Sequence, residues 1–232
     1  MPQTCICIAG DVKKSRQMEG QHLITALQQC EDKLNKSFSE ELLIPFAVRN
    51  GDEIVGVLKE FPQGYLAAKT MMEELRGKGI HLYIGLGLGE LESTQATIHT
   101  MNGTAVYHAF QARDHFLKQQ HQQAKPWLLG EDASSFFFYD EAVPYQALNA
   151  LTYSIWEKIV HRSEKQQNVI RLIQENPQFS YEQIGKKLGY KSAKSTVSYL
   201  LSRAHYPLVQ AMEASLMQLL HRLQAGYLTG RS

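Results

Sequence analysis

The chain has 232 residues, 44% hydrophobic and 20% charged, with a net charge of +1. That is apolar surface enough for packed cores and too little charge for a disordered chain. No apolar run approaches the roughly 18 residues that span a bilayer. The N-terminus has no basic segment followed by an apolar run, so no export signal is read and a cytoplasmic location is expected. The three cysteines agree. Cys5 and Cys7 sit two apart in a strand-like run, a spacing that suits neither a zinc knuckle nor a disulfide framework, and buried reduced thiols are expected.

The near-zero net charge hides a division. Residues 1–150 hold 13 Lys and Arg against 18 Asp and Glu, a net −5. Residues 151–232 hold 11 against 5, a net +6. A mildly acidic part joined to a basic part suggests a different partner for each.

In chain order, residues 4–9 form a short apolar run closed by Gly10 and Asp11, which predicts a buried strand. Apolar residues then recur at helical spacing from about 16 to 38. Residues 43–48 predict a strand, Asn50-Gly51 a tight hairpin, and residues 53–58 the returning strand. A helix with Pro in its first turn follows over 62–75. Residues 80–88 predict a strand, 104–117 a helix and 135–139 a last strand. The order is β-α-β-β-α-β and then α-β, an α+β class whose first six elements match the split βαββαβ of ferredoxin-like folds.

In that arrangement the third strand lies antiparallel beside the first. Asp11 then meets Asp52 and Glu53 at one edge of the sheet. Carboxylate oxygens are hard ligands suited to Mg²⁺ or Mn²⁺, with positions left over for water or phosphate. Lys13, Lys14 and Arg16 could offset phosphate charge, and Gly10 would allow a close backbone approach. Taken singly, Asp52 reads as a hairpin residue and Asp11 as a helix cap; taken together they favour the site. Gly85, Gly87 and Gly89 alternate on one strand face, which suits a phosphate cradle less well than a closely packed helix. No pair among the nine histidines has metal-ligand spacing, and His108 and His115 are read as surface or packing residues.

These pieces resemble a known set of families. Ile8-Ala9-Gly10-Asp11-Val12, Asn50-Gly51-Asp52-Glu53-Ile54, Ile84-Gly85-Leu86-Gly87-Leu88-Gly89-Glu90 and Gly103-Thr104-Ala105-Val106-Tyr107, with Ala112-Arg113, look like the palm core of class III nucleotidyl cyclases and GGDEF diguanylate cyclases. With its C-terminal part, the chain over about residues 1–205 resembles the SatD family of bacterial proteins. The resemblance implies that Asp11 and Asp52 bind the metals, with Glu53 a helper and Arg113 steadying the transition state. It implies a nucleoside triphosphate or related nucleotide against Gly10, Lys13, Lys14, Arg16, Asn50 and Gly51. The usual double glycine of the hairpin is Asn50-Gly51 here. Tyr107 or His108 stands near the place of a catalytic Asn.

The basic part reads as all-helical: a connecting helix over 148–160, then stretches at 168–174, 180–188 and from Ser192 or Ala193. Ser180 and Gln183 form a capping box, and Gly189 ends that helix. Ile184-Gly185-Lys186-Lys187-Leu188-Gly189-Tyr190 followed by Ser195-Thr196-Val197-Ser198 resembles a helix-turn-helix with a lengthened turn. Its second helix would present Lys191, Ser192, Lys194, Ser195, Thr196 and Ser198 to DNA, with Lys186, Lys187 and Arg203 on phosphates. An apolar stripe from Leu208 to Leu223 fits a bundle core or a partner helix, and a homodimer is expected. The expected domains are a cyclase-like residues 1–145 and a helical 146–232, with the helix-turn-helix at about 166–204. The function expected is a DNA-binding regulator whose first domain binds a nucleotide with divalent metal. The alternative is an active metal-dependent cyclase or nucleotide polymerase that the helices target.

Overall fold

The computed structural model describes residues 2–93 and 95–229. Five strands form one sheet: β1 (Gln3–Val12), β2 (Leu42–Arg49), β3 (Glu53–Leu58), β4 (Leu82–Leu91) and β5 (Ser135–Tyr139), in the order β2-β3-β1-β4-β5. β1 runs antiparallel to both β3 and β4, β2 antiparallel to β3, and β5 parallel to β4. The third strand thus lies antiparallel beside the first. The hairpin between β2 and β3 turns at Asn50 (φ 52°) and Gly51 (φ 87°). Two successive positive φ angles are what a two-residue turn of matching twist needs, and Asn-Gly tolerates them best.

Strand alternation sorts β1 onto two faces. Cys5, Cys7 and Ala9 join Val55, Val57, Ala105 and Ala109 in one apolar cluster, which places α3 (Thr104–Phe110) on that face. Ile6 and Gly10 point the other way, toward Gly64 and Met71 of α2 (Phe61–Arg76). There α2 meets α1 (Gly20–Ser37), tied across by Lys33 and Glu74 at 2.7 Å. All three cysteines are buried and free, and burial pushes the Cys5 and Cys30 thiols up to about 12, far from reactive thiolate.

The helix predicted over 104–117 changes character midway. After α3 it continues as a π-helix over Gln111–Lys118. The glycine alternation of β4 shows why this helix can lie so close to the sheet. A Cβ on Gly85 or Gly87 would collide with the backbone of Ala109 and Arg113, or of Ala105 and Ala109. The space is filled by helix, so no phosphate cradle is left at these glycines.

The chain divides into two compact units. One runs to Tyr153 and resumes from Met217; the other is Ser154–Leu216. The compact units divide within α4 (Tyr145–Val160), the helix at whose start the 145/146 boundary is expected, and the end of α8 (Tyr206–Thr229) belongs to the first unit. Gln224 explains that return. Its Oε1 accepts from Phe61 N at 2.8 Å and its Nε2 donates to Lys59 O at 2.9 Å, while Tyr227 sits edge-on to Phe61. Phe61 N belongs to the first turn of α2, where no intrahelical acceptor exists, so Gln224 supplies a cap from far along the chain.

In the helical unit, α5 (Glu164–Glu175), α6 (Tyr181–Lys187) and α7 (Ala193–Arg203) enclose Val169, Ile170, Ile184, Val197, Leu201 and Ala204. Ser180 and Gln183 form the capping box expected of α6, and Ser163 with Gln166 forms another on α5. A Cβ on Gly185 would meet Ala193, so a glycine against an alanine sets how closely α6 and α7 approach. Of the stripe on α8, Val209, Leu216 and Leu220 are buried and Leu208 is exposed. No helix among the described residues is long and apolar enough to cross a membrane.

Candidate functional site

Asp11 is the penultimate residue of β1, and its register partner across the sheet is Glu53, the first residue of β3. Both side chains lie on the face covered by the π-helix. That helix sends down two cations. Arg113 Nη2 is 3.3 Å from Glu53 Oε1, and Lys118 Nζ is 3.0 Å from Asp11 Oδ2. Arg113 also forks onto its neighbour Asp114, Nε and Nη2 each at 2.8 Å. Phe110 lies under the guanidinium, 4.6 Å from ring centre to Cζ.

Burial works against the charge of Arg113, but the Asp114 bonds and the nearby Glu53 and Asp11 outweigh it and hold the guanidinium above its ordinary range. The side chain is only 4% exposed, and its Nη1 is buried with no hydrogen-bond partner. An unmet guanidinium donor in this position is costly to leave unbonded.

Asp52 stands just outside the ladder. Its backbone O accepts from Val12 N at 3.0 Å and its Oδ2 accepts from the Ser15 hydroxyl at 2.7 Å. It is a hairpin residue, as its single reading has it. Asp11 caps no helix, since α1 opens after Glu19 with no side-chain cap. The three acids therefore gather at one edge, but each already has a bonding partner. Among the described residues, no group of three His, Cys, Asp or Glu is placed to hold a metal ion. The donor set as it stands does not fit a divalent centre.

The expected phosphate ligands are largely committed elsewhere. Lys13, 6% exposed, donates to Gly130 O at 3.0 Å, Ala133 O at 2.6 Å and Ser135 Oγ at 3.2 Å. It straps the loop before β5 to the end of β1, and burial lowers its ammonium to about 8. Lys14 pairs with Glu131 at 2.6 Å on the same loop. Gly10 faces Ile54 and Met71, so its missing side chain serves the packing of α2 rather than a ligand. Arg16, Asn50 and Gly51 remain exposed. Tyr107 is exposed at 59%, and His108 is tied through Nδ1 to Leu88 O at 2.7 Å.

Sequence reasoning missed Lys118, Asp114 and Ser15. A helix of ordinary pitch puts residues 113 and 118 on different sides, so nothing in the periodicity joined them. The only signal available was the cation–acid–cation order Arg113-Asp114…Lys118.

In the helical unit, Lys186, Lys187, Lys191, Ser192, Lys194, Ser195, Ser198 and Arg203 are exposed and Thr196 is half-buried. Six of these border one shallow groove of ≈ 550 Å³ between α6 and α7: Lys186, Lys191, Ser192, Lys194, Ser195 and Ser198. Glu182 shares the groove and pairs with Lys186 at 2.6 Å. Lys187 lies over the Phe179 ring. Arg203 lies apart from that groove, at the far end of α7, in a polar recess with Lys158, His161, Arg162 and His205.

A family model described as the SatD family matches residues 5–194. No curated protein matches. Among solved structures, the guanylyl cyclase Cya2 is 12% identical, with a TM-score of 0.37, covering 50% of this chain and 71% of that one. A bacterial light-regulated adenylyl cyclase is 13% identical, with a TM-score of 0.35, covering 60% of this chain and 43% of that one. This chain therefore spans less than half the length of the second.

Proposed function

This chain belongs to the SatD family, and from that premise we propose that it is a DNA-binding regulator whose first unit binds a nucleotide. We read the sheet as the ferredoxin-like arrangement and α5–α7 as a helix-turn-helix, with DNA as the partner of the helical unit. The observation that carries this reading is the groove between α6 and α7, edged by Lys186, Lys191 and Lys194 with Ser192, Ser195 and Ser198 between them. Lysines supply phosphate contacts and hydroxyls reach either phosphates or base edges. A cytoplasmic location and a homodimer matched to two half-sites belong to the same proposal.

In the first unit, the nucleotide would meet the groups still exposed at the Asp11 end: Arg16, the Asn50-Gly51 turn and Lys118. Arg113, held by Asp114 and Glu53, has the buried Nη1 left to offer. Mg²⁺ or Mn²⁺ enters no step here, since Asp11, Asp52 and Glu53 are each engaged within the protein.

The test is fluorescence anisotropy at fixed salt with labelled duplex, beside a separate nucleotide titration. Lys194→Ala with Thr196→Ala is expected to weaken DNA binding about tenfold, roughly 1.4 kcal/mol, and to leave nucleotide affinity unchanged. Equal DNA binding by the variant would remove the recognition-helix assignment. The placement of Asp11, Asp52, Glu53 and Arg113 at one edge gives a second reading, an active cyclase or polymerase in which metal and nucleotide would have to displace Lys118 and Ser15 from the acids. Incubation with four nucleoside triphosphates and Mg²⁺ or Mn²⁺, followed by mass spectrometry, decides it. A product made by the parent and not by an Asp11→Asn, Asp52→Asn variant would establish turnover; no product from either would leave the regulator reading.

A further inference from the structure

Lys118 reaches Asp11 from the π-helix. Its ammonium is 3.0 Å from Asp11 Oδ2 and 3.7 Å from Asp114 Oδ1, so two carboxylates share one cation. Glu53, the cross-strand partner of Asp11, is held by Arg113, and Asp52 by the Ser15 hydroxyl. Three carboxylates at the helix contact, Asp11, Glu53 and Asp114, are thus met by two resident cations.

The π-helix is the device that makes this possible. At 3.6 residues per turn, positions five apart point roughly 140° away from one another. With i→i+5 bonding they stack on one side. Arg113 and Lys118 are five apart, and the acids they reach, Glu53 and Asp11, are register partners on adjacent strands. The widened helix therefore lays two cations over two paired acids. Gly85 lets it come close enough, because any side chain there would strike the backbone of Arg113. Asp11 is 11% exposed in its side chain, so its charge is screened weakly by water and strongly by the ammonium.

We propose that Lys118 is the resident cation of this site, neutralising Asp11 in the place of a divalent metal and keeping Mg²⁺ and Mn²⁺ off the carboxylates. A dication approaching Asp11 has to expel the ammonium or share the oxygen with it. Both cost electrostatic energy at such short range. Lys118, 39% exposed in its side chain, also turns a solvent-facing flank to any phosphate that enters. The inference rests on the nucleotide reading only for that last role; the exclusion of metal is tested with the metal alone, so the two fail separately.

The experiment is a titration of the full chain with Mn²⁺, following the free aquo ion by electron paramagnetic resonance. The parent is expected to bind Mn²⁺ at this site at least about tenfold more weakly than Lys118→Met. Adding Asp11→Asn to that variant is expected to erase the gain. Lys118→Gln is the second probe where Lys118→Met fails to give a native circular dichroism spectrum. A parent that binds one Mn²⁺ as tightly as both Lys118 variants would overturn the proposal. So would a gain that survives Asp11→Asn, because the metal would then be bound elsewhere.

Discussion

In the first unit, Lys13, Lys14, Arg113 and Lys118 all end on partners built into the same unit: loop carbonyls, Glu131, Glu53 with Asp114, and Asp11. In the helical unit, Lys187, Lys191, Lys194 and Arg203 are exposed on the surface. The two regions have similar residue types and opposite fates. Arg113 and Lys118, held on the poorly exposed Glu53 and Asp11, fix the position of a helix and set the local charge, and Lys13 straps a loop to the sheet. A cation left in water is available to a polyanion. Clustered lysines in a sequence do not distinguish these cases; the register of the strand opposite does.

The contrast can be broken from its structural side first. Gly85→Ala forces a Cβ into Ala109 O and Arg113 N, so the π-helix must lift from β4. A loss of roughly 3 kcal/mol or more is expected in urea unfolding. Next, Arg113→Leu leaves Glu53 without its cation and Asp114 without its fork, and about 2–3 kcal/mol is expected in the same assay. A loss under about 0.5 kcal/mol, the range of ordinary surface changes, would mean that the buried pair holds nothing together.

Lys13 sharpens the comparison through pH. Burial lowers its ammonium from 10.5 to about 8, so between those values the unfolded chain binds more protons than the folded one. Stability then rises with pH across that window, and below about 8 the full cost of the buried charge is present. Relative to Lys13→Met, the parent is expected to gain stability from pH 8 to 10, measured by chemical unfolding at each pH. A gap that stays constant would show that the ammonium titrates alike in both states.

The smallest effect is expected at Glu74, which bridges Lys33 and Lys78 at 2.7 and 3.1 Å. Hydrogen bonds from both lysines lower its carboxyl, so its contribution is present above the ordinary carboxylate range and lost as pH falls through the lowered value. Glu74→Gln is expected to cost under about 1 kcal/mol at neutral pH and nothing in acid.

Much of this was legible in the sequence where local pattern decides. Alternation and turn residues placed β3 and β5 at the residues observed, Asn50-Gly51 made the hairpin, and Ser180 with Gln183 capped α6. The acids of β1 and β3 were legible as neighbours because strand order follows from the element order. What the sequence hid depends on contacts between distant segments. The π-helix follows from how 111–118 packs on β4, not from its own periodicity. Lys13 reads as a phosphate ligand until the loop carbonyls of Gly130 and Ala133 are seen to accept its hydrogen bonds. Gln224 gives no hint that it caps a helix some 163 residues earlier.

The most direct test of the division between held and available cations is the salt dependence of DNA binding. Anisotropy would be measured over a series of salt concentrations for the parent, for Lys191→Gln with Lys194→Gln, and for Lys14→Gln with Lys118→Gln. Each phosphate contact removed lowers the slope of log affinity against log salt by about 0.9. A slope reduced by nearly two is expected for the helical-unit pair, and an unchanged slope for the first-unit pair. A slope that falls with Lys14 and Lys118, or that ignores Lys191 and Lys194, would contradict it.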